Sequence, residues 1–154
     1  FIVRTESGNI EVLGTEFNIK CYSDEIALVT TLVNGKVKFD DGINPSVILK
    51  PEEQLIFEKE NSQSIVRKVN VNHYISWKDN RLSFQGETLD MIMKTLSRWY
   101  NVEVVFEDST LKALEFSGNL DRFTDIQEFL SLFELGVNVK FEVKNRTVYI
   151  RKGN

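Results

Sequence analysis

The chain has 154 residues, 42% apolar and 27% charged, with a formal charge of −4. That length can bury roughly two-thirds of the unfolded surface, while the acidic balance excludes a polyphosphate-binding surface, which needs clustered lysine and arginine. The single cysteine excludes an internal disulfide, and no apolar run reaches the ~20 residues of a membrane-spanning helix.

Phe1-Ile2-Val3 opens in strand-like sequence, without a start methionine or signal-peptide pattern, so the chain is expected to be a piece of a longer protein. Residues 1–72 read as β throughout. Ile10 and Val12 alternate with polar neighbours, Gly14 breaks that strand, and Phe17, Ile19 and Cys21 alternate again, turning Cys21 toward a core. Residues 25–32 form a longer apolar stretch, expected to be covered on both faces. Asn34-Gly35 tolerates positive φ and predicts a tight hairpin into a partner strand at 36–39. Asp40-Asp41-Gly42 is a further turn signal, and strands follow at 47–49, 55–57 and 65–71. Turns every 8 to 15 residues with no helical stripe point to an antiparallel sandwich or a solenoid-like wedge, its first part absent. Residues 73–80 lose the alternation and read as a linker, in which Tyr74 and Trp77 are expected to dock on one domain.

Residues 81–154 change pattern. Leu89, Ile92, Met93, Leu96, Trp99 and Tyr100 fall on one helical face, with Thr88 as the starting cap, Asp90 at the positive end and Asn101 as the stop. Val102, Val104 and Phe106 then alternate as a strand. Adding 37 to the helix positions gives Ile126, Phe129, Leu130 and Phe133, and adding it to Asn101 and the strand gives Asn138, Val139, Phe141 and Val143. A second helix at 125–135 has a capping-box spacing in Thr124-Asp125-Ile126-Gln127. The fold class is therefore a mainly β N-terminal part plus an α+β C-terminal domain with duplicated β-α-β units.

Few residues suggest chemistry. His73 is the only histidine, which excludes a multi-histidine metal site and a Ser-His pair. Adjacent carboxylates such as Asp40-Asp41 and Glu107-Asp108 sit beside turns and stay solvated, so no catalytic, cofactor-binding or metal site is expected and the chain is read as a non-enzyme. Trp99 and Tyr100 continue the helix's apolar face, while Arg98 lies off it as a candidate for an exposed contact or an ion pair. Partner binding is assigned instead to a sheet edge. Thr147, Val148, Tyr149, Ile150 and Arg151 form the last strand, flanked by Lys144, Arg146 and Lys152. Either it is an open edge suited to an acidic partner strand, or it is a central strand paired on both sides.

Three stretches, Val12-Leu13-Gly14-Thr15-Glu16-Phe17-Asn18-Ile19, Thr31-Leu32-Val33-Asn34-Gly35-Lys36-Val37 and Leu49-Lys50-Pro51-Glu52-Glu53-Gln54, resemble the periplasmic FecR-type domain. Trp77-Lys78-Asp79, Leu82-Ser83-Phe84 and Leu96-Ser97-Arg98-Trp99-Tyr100-Asn101-Val102 resemble the C-terminal domain that accompanies it, and the duplicated module is similar to the small secretin/TonB N-terminus fold. Glu52 departs from the family, which usually carries glycine in the turn after Pro51. The resemblance implies an anti-sigma factor tethered to the inner membrane by an upstream helix and facing the periplasm. Its expected partners are the N-terminal signalling domain of an outer-membrane TonB-dependent transducer and, through an upstream cytoplasmic segment, an extracytoplasmic-function sigma factor. No nucleic acid and no cofactor are implied. The alternative is a carbohydrate-binding module using Trp77, Trp99 or Tyr100.

Overall fold

A computed structural model describes residues 1–122 and 125–154. The chain divides into two compact units, Phe1–Ile75 and Ser76–Asn154. Among the described residues no helix is long and apolar enough to cross a membrane.

The first unit contains two four-stranded antiparallel sheets. One has the order β1-β2-β5-β6, formed by Ile2–Thr5, Gly8–Val12, Val37–Asp40 and Val47–Leu49. The other has the order β3-β4-β7-β8, formed by Glu16–Lys20, Ala27–Asn34, Glu53–Glu58 and Gln63–Lys68. Alternation explains their packing: Ile10, Val12, Val37, Phe39 and Leu49 of the first sheet share one core with Leu28, Leu32, Leu55 and Phe57 of the second. The Phe39 and Phe57 rings meet across it at 5.0 Å. Cys21 is half-buried against this core.

The expected hairpin at Asn34-Gly35 does not form. β4 pairs with β3 and β7, and β5 with β2 and β6, so the turn carries the chain from one sheet to the other. A tight turn sets the backbone direction locally; which strands then pair depends on where each buries its apolar face. Residues 13–15 and 50–52 make the same crossing, and the register Val12↔Val37↔Leu49 puts all three at one end of the sheets. There the Thr15 hydroxyl lies 2.9 Å from the Leu13 carbonyl oxygen and 3.0 Å from that of Lys36. Glu52 donates its N–H to the Leu32 carbonyl at 2.9 Å and accepts from the Val69 N–H at 2.9 Å. Three stretches far apart in sequence thus form one junction.

The linker expected at 73–80 is largely helical, residues 72–79 forming two short turns. A single turn, α1 (Asn72–Ile75), ends the first unit and a 3-10 turn (Ser76–Asp79) starts the second. Tyr74 is half-buried, while Trp77 is 49% exposed.

The second unit runs β9 (Arg81–Thr88), α2 (Leu89–Tyr100), β10 (Glu103–Phe106), β11 (Glu115–Asp121), α3 (Ile126–Glu134), β12 (Val139–Lys144) and β13 (Thr147–Lys152). Strand, helix and strand therefore occur twice in order. The Thr88 hydroxyl accepts from the Met91 N–H, and Asn101 ends α2 at φ 52, donating to the Ser97 carbonyl. Leu89, Ile92, Met93 and Leu96 are each at most 1% exposed, and burial of each stabilises the unit by about 1.5–3 kcal/mol. Phe133 of α3 joins the layers, 4.9 Å from the Phe116 ring of β11 and 5.9 Å from Phe84 of β9.

The second repeat departs from the first at its helix end. α3 stops at Glu134 with Leu135 as its C-cap, so Asn138 is not a helix stop; its carbonyl instead accepts from Gly153 at 3.0 Å, beside the start of β12. At the other end Asp125 caps α3 by accepting from the Gln127 N–H, and Thr124 of the expected capping box lies outside the described residues.

The first strands of the two repeats, β9 and β11, pair antiparallel; the second strands flank β13 in a three-stranded sheet of order β10-β13-β12. β13 is therefore the central strand, parallel to β10 and antiparallel to β12. Of the two alternatives for residues 147–151, the central strand forms and the open edge does not. A last strand with apolar residues at alternate positions has no local mark of edge or centre; it inserts here because both second strands offer it a free ladder.

Candidate partner-binding edge

With β13 enclosed, Val148 and Ile150 are fully buried core residues, each 0% exposed, so their side chains cannot meet a partner. Thr147 and Tyr149 are half-buried and Arg151 is exposed, all three on the opposite face of the sheet. Arg98 is half-buried in the last turn of α2. Arg98 thus belongs to a helix and the other candidates to an enclosed strand.

The unpaired backbone of this sheet lies on β12 and β10. On β12 the Lys140↔Arg151 and Glu142↔Tyr149 pairs face inward, which turns the N–H groups of Val139, Phe141 and Val143 outward. That edge is occupied at its first two outward N–H groups. One Glu134 carboxylate oxygen accepts from the Phe141 N–H at 2.8 Å, the other pairs with the Lys140 amine at 2.9 Å, and the Val139 N–H bonds the Val137 carbonyl at 2.8 Å. The Lys140 amine and then the Phe141 N–H hold the Glu134 carboxyl below its ordinary range.

β10 is different. The N–H of Glu103 donates to Arg146 at 2.7 Å and that of Glu107 to Ile150 at 2.9 Å, so alternate residues from 103 to 107 face β13. Val104 and Phe106 consequently point their N–H and C=O groups away from the sheet, where among the described residues no partner takes them. Just before them the edge is closed: Ser97 bonds both the N–H and the carbonyl of Val102, at 3.1 and 2.7 Å. The open backbone is thus two residues long. Val104 and Phe106 pack inward, leaving Glu103, Glu107 and the 40% exposed Val105 on the outer face.

Beyond this edge Asp108 accepts from the Thr110 hydroxyl at 2.6 Å, the Lys152 amine at 2.9 Å and the Thr110 N–H at 2.9 Å, which holds its carboxyl at about 2. Trp99 and Tyr100 do not make a platform. Trp99 packs against the core and its ring is covered by the Arg122 guanidinium at 4.4 Å. The Tyr100 hydroxyl donates to the Arg122 carbonyl at 2.9 Å, and its pKa is raised by burial and then by Asp125. His73 is half-buried in α1.

Sequence reading found β10 as a strand but missed it as the open edge. Its hydrophobic alternation marks the buried face, and nothing local marks the unpaired side.

Residues 81–150 match the family described as FecR, C-terminal. Two crystal structures of an anti-sigma factor candidate from Parabacteroides distasonis ATCC 8503 share the fold, with TM-scores of 0.88 and 0.87 at 23% identity. Each match covers 100% of this chain and 72% or 71% of the other. No curated protein matches the chain. That match falls within the second unit.

Proposed function

We propose, taking as premise that residues 81–150 belong to the FecR C-terminal family, that the chain is the ectodomain of a FecR-type anti-sigma factor. It acts by binding another protein and performs no reaction. The family match carries this reading, and the fold shared with the Parabacteroides distasonis protein supports it. The N-terminal signalling domain of an outer-membrane TonB-dependent transducer docks on the second unit in the periplasm. The response passes through an inner-membrane helix to an extracytoplasmic-function sigma factor. Docking relays a signal only if it favours one arrangement of the two units about residues 73–80 over another, because a ligand shifts an equilibrium only by its difference in affinity for the two states. An open edge of two residues implies a small interface, toward or below ~1,200 Å² in total.

Calorimetric titration of the chain with the signalling domain of a transducer encoded beside it tests the reading. Saturable heat at micromolar concentration is expected; no heat at high micromolar concentration would sink it.

A further inference from the structure

The sign of charge at the open edge is the reverse of what the sequence suggested. Lys144 and Arg146 precede the enclosed β13 and Lys152 ends it, whereas the free backbone belongs to β10, whose outward side chains are Glu103, Val105 and Glu107. The register sets Glu103 beside Thr147 and Val105 beside Tyr149, and carries Glu107 on beside Arg151. Glu103 therefore has no cation directly across from it in the sheet and Glu107 has Arg151, while Arg146 is bonded to the Asn101 carbonyl and Lys152 to Asp108. The other edge is already partly taken, since Glu134 and Val137 occupy its Phe141 and Val139 N–H groups and leave only that of Val143.

We infer that β10 accepts an extended segment of a partner protein that carries lysine or arginine, an apolar residue, and lysine or arginine at alternating positions. This rests on the protein-binding reading above and specifies where and what the partner presents. The physical argument has two parts. The N–H and C=O groups of Val104 and Phe106 bond the added strand's backbone whatever its sequence. Selection comes from cross-strand pairs on the outer face, where a cation stands opposite Glu103, an apolar side chain opposite Val105 and a second cation opposite Glu107. A segment with acidic residues there sets like charges directly opposite one another and is rejected. The same carboxylates oppose edge-to-edge pairing of two copies of β10, since antiparallel self-pairing about Val105 sets Glu103 opposite Glu107.

The test uses the full chain, two variants and two probes. Val104→Pro removes one outward N–H while leaving the residues bonded to β13 unchanged; Glu103→Lys/Glu107→Lys changes only exposed side chains, and circular dichroism checks that both variants fold. The probes are the transducer's signalling domain, followed by calorimetry, and a blocked heptapeptide of threonine alternating with lysine, valine and lysine, followed by backbone amide NMR shifts. A glutamate version of the peptide is the control. The expected result is roughly tenfold weaker binding of the signalling domain by the double charge reversal, loss of binding in Val104→Pro, and shifts at residues 103–107 with the lysine peptide alone. If the signalling domain binds both variants as tightly as the unaltered chain, this inference is overturned while the proposed function stands. If the lysine peptide binds at β10 but the signalling domain binds nowhere, the edge assignment holds and the transducer reading fails. Shifts of equal size with both peptides, or with neither, overturn the inference.

Discussion

Replacing Glu52 by glycine should stabilise the first unit. Glu52 sits at φ 67, a left-handed conformation that costs a residue with a Cβ about 1–2 kcal/mol. Its backbone is held there by two hydrogen bonds, to the Leu32 carbonyl and from the Val69 N–H, both at 2.9 Å. Neither needs the glutamate side chain, which is exposed. Glycine removes the strain but has more freedom to lose on folding, an offset of about 0.5–1 kcal/mol. The net gain is therefore about 0.5–1 kcal/mol, which raises the melting temperature of a unit this size by roughly 2–8 °C. Both tryptophans, Trp77 and Trp99, lie in the second unit, so fluorescence follows that unit and provides an internal reference. Backbone amide signals of β4 and β7 report the first. Glu52→Ala keeps the strain and should stay within about 0.5 kcal/mol of the unaltered chain. Equal effects of alanine and glycine, or a fall with glycine, would refute the strain argument.

Gly35, at φ +94, has no room for a side chain: an added Cβ would lie 2.9 Å from the Thr15 hydroxyl oxygen and 3.0 Å from the Gly14 carbonyl oxygen. Gly35→Ala should cost about 2–4 kcal/mol from overpacking and strain together, read as earlier loss of the β4 and β7 amide signals on heating. Gln54 is 1% exposed; its amide donates to the Thr31 hydroxyl at 2.7 Å and its carbonyl accepts twice from Arg67 at 2.8 and 3.0 Å. Gln54→Ala should cost about 2–3 kcal/mol by leaving the Thr31 hydroxyl and the Arg67 guanidinium without this partner, and a urea midpoint unchanged within error would contradict that. Asp108 has its pKa lowered from 3.8 to about 2 on folding, so its contribution to stability is complete above about pH 3.8 and is lost as pH falls through about 2. Asp108→Asn should flatten the acid limb of the melting temperature between those values, and an unaltered slope would count against the assignment.

The sequence by itself determined what depends on neighbours within a turn or two. The apolar spacing from Leu89 to Leu96, the Thr88 cap and the left-handed Asn101 specify α2 through bonds and contacts inside one segment. Alternation likewise marked which side of each strand is buried, and the two strand-helix-strand repeats are visible because each copy encodes its own periodicity. Pairing is a different matter, because a strand's hydrogen-bonding edges look alike in sequence. Asn34-Gly35 encodes a turn, yet only the packing of Val37 and Phe39 under the opposite sheet makes that turn a crossing. Residues 147–151 encode an apolar strand, but the free ladders of β10 and β12 decide that it fills the centre and leaves β10 open. A side chain's burial can be read from its own position; a backbone group's partner is supplied by residues tens of positions away, and the tertiary structure alone brings them together.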